Sequence, residues 1–257
     1  MNNRLKKLIY YLVGFIIPKK VDFIFIATTG RTGSSIFVKL LKKTFDLAVF
    51  PNEGNDLWHK SMYPYDSKKT FKPYFMAHKE FIEKSKSSWK FNHFRKVKNI
   101  FSGYSIIKRK KVIVVKSSMI IFILEEIIQS FNNCRIIYIV RHGEPVAKSF
   151  LKKQYHKKYK DLTNESDFLD FNRKLWNSSQ IEISNLIEKK ILNKKNFIFF
   201  KYEDFCESPK QIITDISKFL DLKILSHSSY GLIHTRNLKK EVSHPLLEQG
   251  LKYFNYN

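Results

Sequence analysis

Short apolar runs alternate with longer amphipathic runs along this chain of 257 residues. The short runs are rich in Val, Ile and Phe and end in charged or turn-forming residues, a pattern that predicts buried strands. The longer runs place their apolar residues on one helical face, which predicts helices between the strands. Such alternation is typical of a parallel sheet with crossover helices. Strands are predicted at 21–27, 112–116, 135–140 and 197–202.

One predicted helix begins at Pro145, because proline is favoured at the first helical position. Residues 51–110 show no clear periodicity and are rich in Lys, Ser and aromatic residues. Insertions of this kind in α/β folds form the ligand side of the sheet, so we expect an acceptor site there. With no repeat and no linker, residues 21–257 are predicted to form one domain. The other predicted helices lie at 34–45, 119–131, 167–192 and 208–220.

Residues 1–20 form a separate N-terminal segment, in which Arg4 and two lysines precede an apolar run at 8–17. As a helix this run spans about 15 Å. The hydrocarbon core of a bilayer is about 30 Å thick, so the run cannot cross a membrane alone. Two interpretations stay open: the segment packs on its own domain, or residues 4–20 rest on a membrane surface among the headgroups. We expect a cytoplasmic protein that can associate with a membrane without stable insertion.

The composition favours anionic partners. Lys and Arg outnumber Asp and Glu by 47 to 23, a net charge of +24. A field of this sign attracts nucleotides, acidic glycans, nucleic acids or anionic lipid surfaces, although a lysine-rich surface without any particular partner is the alternative. Cys134 and Cys206 make no disulfide framework, and no metal-binding spacing is present in the sequence. We therefore expect two buried thiols and no metal.

The most informative motif is the loop at 28–35, with the sequence Thr-Thr-Gly-Arg-Thr-Gly-Ser-Ser. It joins a predicted strand to a predicted helix, where backbone N–H groups and the helix dipole favour a bound anion. A Walker A loop carries Lys after its second glycine, whereas this loop carries Ser34. The loop predicts phosphate binding and argues against an ATPase or a nucleotide kinase.

Two further strand ends carry side chains that bind anions. Lys116 ends the second predicted strand and precedes Ser117 and Ser118, and Arg141 follows the third strand. Ser149 lies about one turn into the next helix, so it can reach the same point as Arg141. We expect these two residues to form a second anion site, separate from the loop. Two anion sites at one sheet edge suit a nucleotide with phosphates at both ends of its ribose.

These motifs, in this order, resemble those of the sulfotransferases that use 3′-phosphoadenosine 5′-phosphosulfate. Residues 30–35 look like the family's 5′-phosphosulfate loop, in a form similar to that of the carbohydrate sulfotransferases. Arg141 with Ser149 looks like the 3′-phosphate site. Residues 202–204, Tyr-Glu-Asp, resemble a segment whose Tyr lies near the adenine. The similarity extends over about 23–220.

The resemblance implies an α/β fold of the P-loop NTPase-like, three-layer type, with a central parallel sheet flanked by helices. It also implies a nucleotide sulfuryl donor and no metal. In this family, Arg31 and Lys116 would offset the charge that develops during transfer. The expected donor-binding residues belong to the loop or to strand ends: Gly30, Arg31, Thr32, Gly33, Ser34, Ser35, Arg141, Ser149 and Tyr202.

The base that accepts the acceptor's proton needs a separate assignment. Many cytosolic members of the family carry His where this chain has Ser118. Glu53, followed by Leu57-Trp58-His59, resembles a stretch of the carbohydrate enzymes, so Glu53 is the candidate base and His59 the second choice. A turn or cap residue is the alternative role for Glu53. The implied acceptor is a glycan or a glycolipid, and no nucleic acid is expected as a partner.

Other features depart from the family or support rival functions. The family's late basic loop has no clear match, and Arg236 is a candidate by position only. Residues 141–144, Arg-His-Gly-Glu, look like the signature of the histidine phosphatases, in which His142 would be the nucleophile. Lysines and aromatic residues that interleave at 63–101 suit a non-catalytic nucleic-acid or membrane-surface binder. Trp176 is predicted to belong to the core because of its helical spacing.

Overall fold

The computed structural model describes residues 2–17, 20–54, 57, 91–118, 120–152, 164–226 and 244–256, with all of their side chains except those of 52, 53, 91 and 92. Within these residues, five parallel strands form one sheet in the order β2-β3-β1-β4-β5. The strands are β1 (Asp22–Thr28), β2 (Ala48–Val49), β3 (Val112–Ser117), β4 (Cys134–Val140) and β5 (Phe197–Lys201).

The helices of the described residues precede, connect or follow these strands. Short 3₁₀ turns lie at Pro51–Gly54, Ile121–Ile123 and Pro245–Leu247. The α-helices are α1 (Asn3–Ile16), α2 (Ser34–Thr44), α3 (Phe91–Ile107), α4 (Leu124–Ser130), α5 (Gly143–Lys152), α6 (Glu165–Glu188), α7 (Tyr202–Glu207), α8 (Pro209–Leu220) and α9 (Glu248–Tyr253).

The sheet is covered on both faces, which explains why its central strands are continuous apolar runs. Ile24 and Ile26 of β1 belong to one core, together with α2 and α8. Phe23 and Phe25 belong to the other core, with α3, α4 and α6. The α/β fold with a parallel sheet between helical layers confirms the predicted fold class.

The prediction that residues 51–110 are irregular is wrong in part. Its last third forms α3, and the buried ring of Phe101 on that helix packs edge-on against Phe25 and Phe50. The spacing of Phe94, Val97 and Phe101 is helical, but the basic residues between them obscured the pattern. These residues belong to the core rather than to an acceptor site. Residues 58–90 lie outside the described part of the chain.

Smaller differences concern element bounds. The two-residue strand β2 was not predicted, because a strand this short leaves no periodic signal. Tyr202, predicted as the last residue of a strand, is the first residue of α7. The helix predicted at 119–131 is a 3₁₀ turn followed by α4. Cys134 and Cys206 are buried free thiols, as expected.

The N-terminal apolar run forms α1, which packs against α3. The two backbones come close at Gly14 and Gly103: a Cβ on Gly14 would lie 1.9 Å from the carbonyl oxygen of Asn99. Tyr10 and Tyr104 meet edge to face, with ring centroids 5.3 Å apart. One face of this helix therefore packs on its own domain. Among the described helices, none combines the length and apolar character needed to span a membrane.

Candidate donor-binding site

The loop between β1 and α2 turns sharply because three of its residues adopt a left-handed backbone. Gly30 has φ +81°, Arg31 has φ +55° and Gly33 has φ +78°. The hydroxyls of Thr28 and Thr32 hydrogen bond to each other beneath the turn, and Thr32 is fully buried. Since the first turn of a helix leaves N–H groups without intrahelical partners, the start of α2 presents to this loop N–H groups of the kind that can hold an anion.

Gly33 is required by its surroundings as well as by its φ. A Cβ at this position would lie 2.1 Å from a ring carbon of Tyr202. The loop therefore rests directly on the Tyr202 ring, which forms a wall of the site. Burial raises the pKa of Tyr202 to about 12, so its hydroxyl stays protonated at neutral pH.

Lys116 lies beside the loop because β3 is the direct neighbour of β1. Parallel pairing places Lys116 opposite Ile26, two residues before the end of β1. Its ammonium donates a hydrogen bond to the Ser35 hydroxyl at 2.9 Å. One end of the site thus combines a helix N-terminus with a lysine from the adjacent strand.

Arg141 forms the other end. It follows β4, and its guanidinium donates to the carbonyl oxygen of Arg31 at 3.1 Å and stacks over the Tyr202 ring at 4.8 Å. Arg31 Nε donates to the Ser149 hydroxyl at 3.0 Å. Arg141 Nε is buried and has no hydrogen-bond partner among the described residues, and a buried donor without a partner is costly. Because Arg31 Nε donates to Ser149, the Arg31 side chain lies at the same end of the site as Arg141.

A hydrogen bond that no sequence pattern reveals holds the backbone of Arg141 in place. Trp176 is 1% exposed, so its predicted place in the core is correct. Its indole Nε1 donates to the carbonyl oxygen of Arg141 at 2.8 Å. Nearby, Arg173 donates to both carboxylate oxygens of Glu144 at 2.7 and 2.8 Å. The Arg173 guanidinium lowers the pKa of Glu144 by these hydrogen bonds, so the pair stays charged at neutral pH.

A second support comes from near the C-terminus and was also missed. Glu203 Oε1 accepts from the backbone N–H of His142 at 3.2 Å, and its Oε2 accepts from the Tyr256 hydroxyl at 2.7 Å. Burial raises the pKa of Tyr256, and the nearby Glu203 carboxylate raises it further. Tyr256 is therefore a permanent donor to Glu203. No sequence pattern marks it, because the contact joins residues 53 positions apart.

These groups line one cavity of about 520 Å³, a volume typical of small-molecule sites. The two expected anion sites lie at the two ends of this one cavity, and Arg31 connects the loop directly to Arg141 and Ser149. Thr32 does not line the cavity and instead supports the loop from below. The lining residues are Thr28, Gly30, Arg31, Gly33, Ser34, Ser35, Ile36, Lys116, Ser118, Arg141, Ser149, Phe150 and Tyr202.

The candidate bases are less fully placed. Glu53 belongs to the 3₁₀ turn Pro51–Gly54, which follows β2 and contacts β3, but its side chain is not among those described. His59 and Arg236 lie outside the described residues. Their roles stay predictions.

His142, the nucleophile of the phosphatase alternative, does not line the cavity. Its Nδ1 accepts from the backbone N–H of Glu144 at 3.3 Å, and its ring packs edge-on against Tyr256. The residue closes the turn between β4 and α5. Its contacts are those of a structural histidine.

Comparison with known proteins gives a family and a set of related folds. Residues 23–226 match the model described as the Sulfotransferase family. No curated protein matches the sequence.

The solved structures with a similar fold include sulfotransferase STF1 from Mycobacterium tuberculosis, with 13% identity, a TM-score of 0.63, and coverage of 97% of this chain and 81% of that one. STF9 from Mycobacterium avium has 11% identity, a TM-score of 0.61 and coverage of 98% and 80%. The sulfotransferase domain of the Synechococcus PCC 7002 olefin synthase has 16% identity, a TM-score of 0.55 and coverage of 93% and 96%.

Proposed function

Because this chain belongs to the sulfotransferase family, we propose that it transfers a sulfuryl group from 3′-phosphoadenosine 5′-phosphosulfate to a carbohydrate hydroxyl. The observation that carries the proposal is the continuous cavity that joins the β1–α2 loop and Lys116 to Arg141 and Ser149. Arg141 Nε is buried and has no hydrogen-bond partner in the described part of the chain. An oxygen of a bound phosphate would accept its hydrogen bond.

The two ends of the cavity receive different roles. Arg141, Ser149 and Arg31 hold the 3′-phosphate, since two guanidiniums and a hydroxyl make charge-assisted hydrogen bonds to its oxygens. We assign Arg31 to this end, rather than to the reacting end, because its Nε already donates to Ser149. The N–H groups at the start of α2 and the hydroxyls of Ser34 and Ser35 hold the 5′ end.

The donor, when bound, supplies an activated sulfuryl group whose bond to the 5′-phosphate oxygen breaks as the acceptor oxygen attacks. Lys116 stands where it can donate to that leaving oxygen as negative charge develops there. Ser35, 2.9 Å from its ammonium, keeps the lysine in place until then. Catalysis is then mostly positioning and electrostatic stabilisation, as for phosphoryl groups.

We assign the general base to Glu53, whose carboxylate would take the proton of the acceptor hydroxyl. The support is its position after β2, next to the strand that carries Lys116. The form of the loop supports a carbohydrate acceptor, and the net charge of +24 suits an anionic glycan or glycolipid. Replacement of Glu53 by Gln should retain donor binding and abolish transfer. Retained turnover would reject Glu53 and leave His59 to be tested.

Donor binding is tested by thermal unfolding with adenosine 3′,5′-bisphosphate, the product of the donor. At 100 times Kd it stabilises the folded state by about 2.7 kcal/mol, which raises Tm by roughly 5–10 °C for a chain of this size. ATP, which lacks a 3′-phosphate, should raise Tm much less. Equal shifts with both nucleotides, or none with the bisphosphate, would reject the donor assignment.

The acceptor is tested by transfer of labelled sulfate to a panel of glycans, glycolipids and phenols. Transfer to the carbohydrates alone supports the proposal, whereas transfer to phenols alone rejects the acceptor and leaves the donor assignment standing.

Neither rival function gains support. The family match concerns a different chemistry from that of the histidine phosphatases, and a member of an enzyme family is not expected to be a passive binder.

A further inference from the structure

Exposed apolar side chains are concentrated on α1. Leu5, Leu8, Leu12 and Phe15 follow one another at intervals of three or four residues, which places them on one face of the helix. Between 43% and 56% of each residue is exposed. Ile16 extends this row at the C-terminal end and is 68% exposed. We call these five residues the apolar row. A row of this kind is unusual on a protein surface, where exposed apolar residues are ordinarily scattered singly.

The other face of α1 is already occupied. Gly14 and Gly103 bring the backbones of α1 and α3 into contact, and a Cβ on Gly103 would lie 1.8 Å from the carbonyl oxygen of Tyr10. The helix cannot rotate to bury the apolar row without losing this contact. The row therefore faces outward in the folded domain.

Positive charge lies at the N-terminal end of the row, and α1 contains no acidic residue. Arg4 and Lys6 lie at its N-terminal end. Residue 10 contacts 103–104 and residue 14 contacts 99, so α1 and α3 run antiparallel. The same end of the pair therefore holds Lys108 and Arg109, which follow α3 and are exposed. An apolar face flanked by basic residues is typical of helices that lie in the headgroup region of an anionic membrane.

We infer that α1 docks this protein on the surface of an anionic phospholipid bilayer, with the apolar row between the acyl chains and the basic residues among the headgroups. A second copy of the chain fits less well, for two reasons. The row spans about two heptads, whereas a coiled coil takes three or four, and a stable interface takes roughly 20–30 residues a side. Two identical basic faces would also repel each other.

The test is co-sedimentation of the full chain with two kinds of vesicle. One is pure phosphatidylcholine, and in the other roughly a quarter of the lipid is anionic phosphatidylglycerol, which gives the surface a negative potential. We expect binding to the mixed vesicles, little binding to the neutral ones, and release as salt is raised. Binding to both kinds alike, or to neither, would overturn the inference.

The variant that tests the row is Leu8→Asp with Leu12→Asp. Its partitioning to mixed vesicles should fall at least about tenfold, since it places two anions at the interface. The matched control is Ile187→Asp with Leu225→Asp, which adds the same charge at two exposed apolar residues elsewhere and should bind with little loss. Equal losses in the two variants would mean that net charge, not the row, drives binding.

Two further measurements distinguish the membrane from the other partners that could cover the apolar row, which are the protein's own chain and a second copy. Both variants should keep the Tm of the parent chain, because all four sites are exposed. If only the α1 variant loses stability and the parent does not bind vesicles, the row is covered by the protein's own chain and the inference fails. Light scattering should show a monomer. A dimer that the α1 variant dissociates would assign the row to a second copy.

Discussion

The two ends of the donor cavity hold their cations in different ways. At the loop end, the Lys116 ammonium donates to Ser35, a residue that is itself exposed. At the other end, the Arg141 guanidinium lies between the carbonyl oxygen of Arg31 and the Tyr202 ring. The indole N–H of Trp176 donates to the carbonyl oxygen of Arg141. The lysine is a flexible point charge, whereas the guanidinium is a rigid fork in a fixed orientation.

This difference suits two tasks. A charge that does not change during the reaction, such as a terminal phosphate, is best recognised by a preorganised fork. A charge that grows during the reaction is best stabilised by a donor whose interaction is stronger in the transition state than with the bound substrate. We therefore expect Lys116 to matter most for turnover and Arg141 to matter most for donor affinity.

The largest expected effect is on turnover and comes from Lys116→Ala. Loss of a donor at the developing charge typically lowers kcat by about 10²–10³-fold, whereas the Kd of adenosine 3′,5′-bisphosphate should change only a few-fold. Steady-state kinetics and calorimetry measure the two quantities. Lys39→Ala, an exposed change on α2, is the matched control and should change neither. An unaltered kcat in Lys116→Ala would remove this residue from the reacting end.

Arg141→Ala should give the largest loss of affinity. Hydrogen bonds to charged groups contribute about 1.5–3 kcal/mol each, so the Kd of the bisphosphate should rise about 10- to 150-fold. Arg141→Lys should fall in between, because an ammonium keeps the charge and loses the fork. Arg95→Ala, exposed on α3, serves as the control. A lysine variant as tight as the parent would show that the fork is not needed.

Trp176→Phe tests whether the support behind Arg141 contributes to binding. Phenylalanine keeps an aromatic ring but is smaller than the indole, and the lost core volume lowers stability. Loss of the hydrogen bond to the Arg141 carbonyl oxygen costs about 0.5–1.5 kcal/mol more. Donor KM should rise about 2- to 10-fold while kcat at saturation is kept. The control is Tyr138→Phe, which removes a buried hydrogen bond to Gln180 on the same helix, α6. If the two variants alter donor KM equally, Trp176 serves stability alone.

The smallest expected effect comes from Tyr256→Phe. Glu203 keeps its bond to the His142 amide and loses the one from the Tyr256 hydroxyl. Stability should fall by about 1 kcal/mol, read as a lower Tm, and the Kd of the bisphosphate should rise about twofold. Tyr253→Phe, a change at the more exposed end of α9, should leave both values in place. A larger effect on Kd than that of Trp176→Phe would reverse the order of the two supports.

The sequence predicted the parts of the fold that depend on local patterns. Long buried strands and amphipathic helices were located because their periodicity is strong. The two residues of β2 were missed because pairing with β3, not local pattern, makes them a strand. Helix α3 was missed because basic residues such as Arg95 and Lys96, which are exposed, separate its core residues along the sequence.

For the site, the sequence motifs pointed to residues at strand ends. Residues that support the site through tertiary contacts were missed. The loop, Lys116 and Arg141 stand at strand ends, where chain order alone brings them to one edge. Trp176 was expected only to fill the core, and its N–H donor role depends on a rotamer that no pattern reveals. Tyr256 reaches Glu203 across 53 positions, a contact set by tertiary packing.

The connection between Arg31 and Ser149 has a consequence for biosynthesis. These residues are 118 positions apart, and the wall that Tyr202 adds comes later still. A nascent chain that has released only β1, α2 and their loop from the ribosome has a phosphate cradle without its opposite end. Nucleotide affinity should therefore arise late and abruptly during synthesis, when β5 joins the sheet. Ligand capture by ribosome-bound chains of increasing length would report the completion of the domain.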